Sequence, residues 1–157
     1  MITLLLGPMF SGKTTQLLSY ERRFQLAKRN VLIIKYLSDT RYSLENVVSH
    51  DGVNSTASVV NALTIGELLS TSTSLLRIQS SDAILVDEGQ FFPDLRVLCE
   101  TFGNDKQIVI SALNGDYKQD AFQPICDVIG MADNIVHCKS ICSNCGADAP
   151  HTIRTIA

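Results

Sequence analysis

Apolar residues fall along this chain in two alternating patterns. Ile2–Leu6, Val31–Ile34, Ala83–Val86, Ile108–Ile110 and the shorter Ile135–Val136 are continuous apolar or nearly apolar runs. Runs of that length without polar alternation predict strands covered on both faces. Between them the spacing changes to three and four. Leu17, Tyr20, Phe24 and Ala27 predict a helix over Lys13–Ala27, with Asn30 as its stop. Thr64-Ile65-Gly66-Glu67 is a capping box that opens a helix through Leu69 or beyond. Leu95–Phe102 predicts a helix ended by Gly103. The Ser/Thr stretch Ser70–Ser74 reads as a loop or frayed helix end. Leu37–Ala57 is polar and aperiodic and reads as a long loop, a class that is usually functional or mobile. Strands alternating with helices predict an α/β fold, a parallel central sheet flanked by helices on both faces. From Cys142 onward the composition turns small and polar. The expected division is therefore a main domain over 1–140 and a small appendage over 141–157.

The loop after the first strand carries the most specific chemistry. Gly7-Pro8-Met9-Phe10-Ser11-Gly12-Lys13-Thr14 is a complete G-x-x-x-x-G-K-[ST] phosphate loop between a predicted strand and a predicted helix. Gly7 and Gly12 permit backbone conformations that turn successive N–H groups toward an anion. The helix begun near Lys13 adds its positive end. Lys13 is placed to reach the β- and γ-phosphates of ATP, and the Thr14 hydroxyl to hold Mg²⁺. Such a loop needs a metal-holding acid at the carboxyl end of another strand. Ala83–Val86 runs directly into Asp87 and Glu88. Asp87 fits the metal role, and Glu88 is placed to take a proton from an attacking hydroxyl or water.

Composition narrows the surroundings of this chemistry. The 157 residues are one domain's worth and 45% apolar, enough for a core. A net charge of −3 argues against a broad nucleic-acid-binding face. The basic cluster Arg22, Arg23, Lys28, Arg29 reads as a solvated helix face. No apolar run reaches the ~18 residues of a membrane span, and the first strand is too short for a signal peptide. Five cysteines, an odd number without a secretion signal, point to a reducing, cytoplasmic compartment. Cys99 and Cys126 lie in apolar surroundings and are expected in the core.

Further blocks make a family resemblance specific. The phosphate loop, Ile34-Lys35-Tyr36 with Asp39-Thr40-Arg41-Tyr42, His50-Asp51, and above all Asp87-Glu88-Gly89-Gln90-Phe91-Phe92-Pro93-Asp94 occur in an order and at separations that resemble the cellular, type II thymidine kinase family. The resemblance covers nearly the whole chain. It implies a RecA-like P-loop fold and transfer of the ATP γ-phosphoryl to the 5′-hydroxyl of thymidine, with deoxyuridine as a second substrate. It makes Glu88 the base, puts Asp87 on Mg²⁺, and sets Asp39 and Arg41 as a polar pair near metal and phosphates. Met9, Phe91 and Leu113 match residues of the thymine pocket, with Tyr117 over the base and Phe122 at its side. On composition alone the apolar members of this set would be plain core. The resemblance also implies a homotetramer and feedback inhibition by the triphosphate product, while the net charge and the short apolar runs lead to the expectation of no nucleic-acid or membrane partner.

Two features depart from the family pattern. In Leu113-Asn114-Gly115-Asp116-Tyr117, Asn114 replaces the usual acid and Tyr117 the usual Phe, and Ala121 stands where Pro is common. A Tyr can wall a base as Phe does, but its hydroxyl needs a partner. Cys142-Ser143-Asn144-Cys145-Gly146 has the turn of a zinc knuckle, yet a structural Zn²⁺ takes four ligands and this pair supplies two. The resemblance implies a second C-x-x-C beyond it that closes a substrate lid, and no such pair occurs in the sequence. Three readings stand open: completion by Cys138 with His151 or His137, a chain truncated from a longer product (the favoured expectation), or free thiols or a reversible disulfide. A nucleotide-binding module without kinase turnover, and another P-loop phosphotransferase or ATPase, are the rival functional readings.

Overall fold

The computed structural model describes residues 1–37 and 57–154. Asp39, Arg41, Tyr42, His50 and Asp51, and most of the predicted long loop, lie outside them. In chain order the elements are β1 (Ile2–Gly7), α1 (Lys13–Leu26), β2 (Val31–Tyr36), β3 (Ser58–Ala62), α2 (Ile65–Ser70), α3 (Ser72–Ser80), β4 (Ala83–Asp87), α4 (Leu95–Phe102), β5 (Gln107–Leu113), α5 (Gln123–Ile129), β6 (Asn134–His137), and the short strands β7 (Ser140–Ile141) and β8 (Asp148–Ala149). Six strands form one sheet in the order β3-β2-β4-β5-β1-β6, and every neighbouring pair is parallel. β7 and β8 form a separate antiparallel pair.

The pleat divides the strand side chains between two cores, because successive residues point to opposite faces. Leu5, Ile33, Leu85 and Val109 meet Leu17 and Leu18 of α1 on one face. Leu4, Leu6, Leu32, Ile34, Ile84, Val86, Ile108 and Ile110 meet residues of α2, α3, α4 and α5 on the other. Both faces are thus covered, and this is why the strands read as unbroken apolar runs. Each fully buried Leu or Ile contributes roughly 1.5–3 kcal/mol, enough in sum to fix the register.

The predicted elements are present, with local differences. α1 ends at Leu26, four residues before Asn30: Lys28 takes the left-handed conformation at φ 58°, and the Lys28 and Arg29 N–H groups donate to the Gln25 and Phe24 carbonyls. That is a Schellman ending with lysine where glycine is usual. Arg22, Arg23, Lys28 and Arg29 are all exposed. Ser70–Ser74 is not a loop. Most of it belongs to α2 and α3, because Ile78 is fully buried beneath α3 and Arg77 holds the Ser58 hydroxyl and the Val59 carbonyl of β3. Cys99 is buried as expected, and Cys126 is not. Ile125 and Val128 of α5 face the sheet, which turns Cys126 outward to solvent. Among the described residues no helix is long and apolar enough to cross a membrane.

Candidate active site

A parallel sheet delivers the carboxyl ends of its strands to one edge, and the predicted chemistry converges there. β1 ends at Gly7 level with Leu113, the last residue of β5. β4 ends at Asp87 level with Lys35 of β2. A single strand, β5, lies between the strand that feeds the phosphate loop and the strand that ends in Asp87.

The loop is shaped for an anion by two left-handed residues. Phe10 has φ 61° and Gly12 φ 76°, the alternation that aims neighbouring N–H groups toward one point. Gly7 is required by close approach. A Cβ there would meet the Cys138 carbonyl oxygen at 2.4 Å and Ser11 Oγ at 2.7 Å. The carbonyl is fixed because β6 continues alongside β1 and the Cys138 N–H donates to the Leu6 carbonyl at 2.7 Å. Lys13 is 9% exposed, and its ammonium donates to the Pro8 carbonyl at 2.6 Å and to Ser11 Oγ at 3.5 Å. Ser11 Oγ also donates to the Pro8 carbonyl at 2.8 Å. The cation therefore lies folded across the loop, and a phosphate fits a cradle built of N–H groups with an ammonium at its mouth. Thr14 is half-buried in the first turn of α1, and Asp87 is buried at the sheet edge. A hydroxyl and a carboxylate are hard oxygen donors of the kind Mg²⁺ takes alongside phosphate oxygens.

Glu88 follows Asp87 in the left-handed region, at φ 54° and ψ 46°. For a residue other than glycine this costs about 1–3 kcal/mol and is held by its surroundings. The Phe91 N–H closes the turn onto the Glu88 carbonyl at 3.1 Å, and Gln90 Nε2 donates to Glu88 Oε2 at 2.5 Å. Gln90 Oε1 accepts from the Leu113 N–H at 3.1 Å, tying the acid turn to the end of β5.

The residues assigned to the thymine pocket are not ordinary core. Met9, Phe91 and Tyr117 are exposed, Leu113 is half-buried, and Phe122 packs against the larger core. Tyr36 packs between Phe91 and Phe92, with ring centroids at 5.3 and 5.5 Å. The segment after β8 reaches both sides of this region. The Met9 N–H donates to Thr152 Oγ1 at 3.2 Å, Asn114 Nδ2 donates to the Pro150 carbonyl at 3.0 Å, and Arg154 lies 5.4 Å over the Tyr117 ring. Asn114 makes a contact that the acid usual at its position could not, because an ionised carboxylate has no proton to donate to a carbonyl.

Sequence reading assigned no role to Gln90 or Lys35. Lys35 is 2% exposed, and its place beside Asp87 follows from strand register, which the sequence does not display. Asp94 ends the acidic block but serves the fold. Its two oxygens accept from the Ile65 and Gly66 N–H groups at 2.8 and 2.7 Å, at the start of α2.

The knuckle is a turn closed by its own backbone. Gly146 has φ 71°, its N–H donates to the Cys142 carbonyl at 2.9 Å, and the Cys142 N–H donates to the Ala147 carbonyl at 2.8 Å. The Cys145 and Asn144 N–H groups aimed at the Cys142 thiol push its pKa below the usual thiol value. Burial raises Cys138 instead, against a smaller opposite effect of Lys13, and its thiol donates to Gln16 Oε1 at 3.1 Å. Among the described residues no three His, Cys, Asp or Glu side chains come together to hold a metal. Cys138, His137 and His151 therefore do not complete a zinc site with Cys142 and Cys145, which corrects the reading of local completion. Two thiols do not make the four-ligand shell of a structural zinc.

A wholly parallel six-stranded sheet with a G-x-x-x-x-G-K-T loop between β1 and α1 defines a P-loop α/β protein of the RecA-like kind. The thymidine kinase family model matches residues 1–157, and the chain belongs to that family. It is 36% identical over 154 residues to the cytosolic thymidine kinase of Gallus gallus, covering 98% of this chain and 65% of the relative. It is likewise 36% identical to the cytosolic thymidine kinase of Homo sapiens, covering 98% of this chain and 62% of the relative. With the thymidine kinase of Myxoma virus (strain Lausanne) the identity is 34%, over 98% of this chain and 82% of the relative. The chain thus spans less than two thirds of the length of these cytosolic relatives.

Proposed function

We propose that this chain is the ATP-binding and catalytic part of a thymidine kinase, transferring the γ-phosphoryl of ATP to the 5′-hydroxyl of thymidine, with deoxyuridine as a second substrate, in nucleotide salvage. The observation that carries the reading is the convergence of the phosphate loop and the Asp87-Glu88 turn on one sheet edge in a chain of this family. Gly7, Pro8, Met9, Phe10, Ser11 and Gly12 cradle the phosphates by their backbone. Lys13 holds the β- and γ-phosphates, and Thr14 and Asp87 hold Mg²⁺. Mg²⁺, when bound there, would neutralise charge that develops on the transferred phosphoryl group and the leaving ADP. Glu88 accepts the 5′-hydroxyl proton while that oxygen bonds to the γ-phosphorus, the bond to the β–γ bridging oxygen breaks, and ADP leaves. Met9, Phe91, Leu113, Tyr117 and Phe122 wall the base, and Asp39 and Arg41 add a polar pair near the phosphates.

In this reading residues 1–140 form the kinase domain and 141–157 part of a zinc and lid subdomain, to which Cys142 and Cys145 bring two ligands. The resemblance supports a homotetramer. The name of the relatives as cytosolic supports a cytoplasmic place. The test is chemical. Purified protein is incubated with Mg²⁺-ATP and, separately, thymidine, deoxyuridine and deoxycytidine, and monophosphate and ADP are quantified. One thymidine monophosphate per ADP, with little product from deoxycytidine, is expected. ATP binding without any monophosphate would mean a nucleotide-binding module instead.

A further inference from the structure

Gln90 is 4% exposed, deeper than the Glu88 it touches, and both ends of its amide are engaged. Chemistry fixes which end is which. The Leu113 N–H can only donate, so the atom facing it is the amide oxygen, and the atom facing Glu88 is the amide nitrogen. An ionised carboxylate accepts from that nitrogen, at 2.5 Å. Leu113 pairs with Gly7, the first residue of the phosphate loop. A chain of contacts thus runs from the Glu88 carboxylate through one buried amide to the strand end that sits beside the loop. The turn is pressed into place by Gly89, where a Cβ would meet Ile110 Cγ2 of β5 at 2.5 Å.

We infer that Gln90 is a positioning residue that holds the Glu88 carboxylate in one orientation relative to the phosphate loop. A base must lie within hydrogen-bond reach of the proton it takes, and misplacement by about 1 Å can cost about 10²-fold in rate. Glu88 alone is poorly suited to that demand, with a flexible side chain, a left-handed backbone and a half-buried site. The amide constrains it, committing one carboxylate oxygen to a buried donor. Only an amide of this length offers both the donor for Glu88 and the acceptor for Leu113. Met matches its bulk and offers neither, while Glu keeps the acceptor for Leu113 but sets a carboxylate against Glu88.

The inference rests on Glu88 being the base, and the experiment separates the two. Wild type, Glu88→Gln, Gln90→Met, Gln90→Glu and the double variant Glu88→Gln/Gln90→Met are compared with Mg²⁺-ATP and thymidine for kcat, both KM values and thermal midpoint. Gln90→Met is expected to lower kcat about 10–100-fold with KM for ATP within about twofold. Gln90→Glu should lose at least as much, although its bond to Leu113 survives. The double variant should lose no more than Glu88→Gln alone, because Gln90 acts through that carboxylate. Wild-type kcat in Gln90→Met beside an inactive Glu88→Gln overturns the inference and leaves the base standing. So does a double variant that multiplies both losses. An active Glu88→Gln overturns the base, and the inference with it. If Gln90→Met does not fold, Gln90→Asn, which keeps the amide one methylene short of its partners, carries the same comparison.

Discussion

Lys13 carries its charge in a nearly buried site, where its ammonium donates to the Pro8 carbonyl and to Ser11 Oγ. An incoming phosphate would bring an anionic acceptor to that ammonium, a cation–anion contact that a nucleoside base does not offer. Lys13→Ala should therefore weaken ATP use far more than nucleoside binding; titration of each ligand separately on wild type and variant decides it, and equal loss for thymidine would show the two subsites misassigned. The loop was legible because the pattern that sets its shape is written in consecutive residues. The conformation of Glu88 was not, since nothing in Asp87-Glu88-Gly89 marks the acid rather than the glycine as left-handed. Nor was the role of Gln90, whose second partner is 23 residues away. Cys99 gives a second prediction at this scale. Burial, with the nearby Glu100 adding, pushes its thiol from 9.0 to about 11. The unfolded chain then releases this proton before the folded one does. The stability linked to the thiol is fully present below pH 9 and is lost as pH rises toward 11, by up to about 2–3 kcal/mol. Urea unfolding across that range should show the fall in wild type and a shallower one in Cys99→Ala; identical slopes would exclude the thiol as the cause.

Among the elements, α2 shows how a motif can serve the fold while looking like chemistry. Thr64 Oγ1 accepts from the Glu67 N–H at 3.1 Å, as the capping box predicts, while Glu67 reaches back one residue further than expected, to the Leu63 N–H at 3.1 Å. The remaining N–H groups of Ile65 and Gly66 are taken by Asp94 from the start of α4. Asp94→Ala should cost about 1–2 kcal/mol, seen as a lower urea midpoint with kcat per folded molecule nearly unchanged; a large loss of kcat at full stability would place Asp94 in the site instead. The strands β1, β2, β4 and β5 were legible from their apolar runs, because burial on both faces removes alternation. β3 was not anticipated. Its Ser58, Val59, Val60, Asn61 and Ala62 are only partly apolar, as befits an edge strand paired with β2 alone. α3 was hidden by its serines and threonines, and Ile78 and Arg77 hold it by contacts that local propensity does not report.

For the molecule as a whole, strand order decides what the parts can do. Placing β5 between β1 and β4 sets Leu113 level with Gly7 and ties it through Gln90 to the acid turn. The sequence announced a parallel sheet, but strand order arises from long-range pairing and left no local mark. The β7–β8 hairpin with its two cysteines is closed by backbone bonds and by the Lys139–Asp148 ion pair at 3.0 Å, without a third or fourth metal ligand nearby among the described residues. The 157-residue chain should accordingly hold zinc weakly, below one per chain after dialysis against a mild chelator, by elemental analysis; one tightly held zinc per chain would contradict this. In the proposed function, one sheet edge combines an ATP cradle with a separate base. The most direct measurement is single-site and two-sided: turnover of saturating thymidine and affinity for Mg²⁺-ATP, in wild type and Glu88→Gln. The amide keeps the size of the carboxylate and loses its basicity, so turnover should fall by about 10²–10⁴-fold while ATP affinity stays within about twofold. Near-normal turnover in Glu88→Gln, or loss of ATP affinity in step with turnover, would contradict the account.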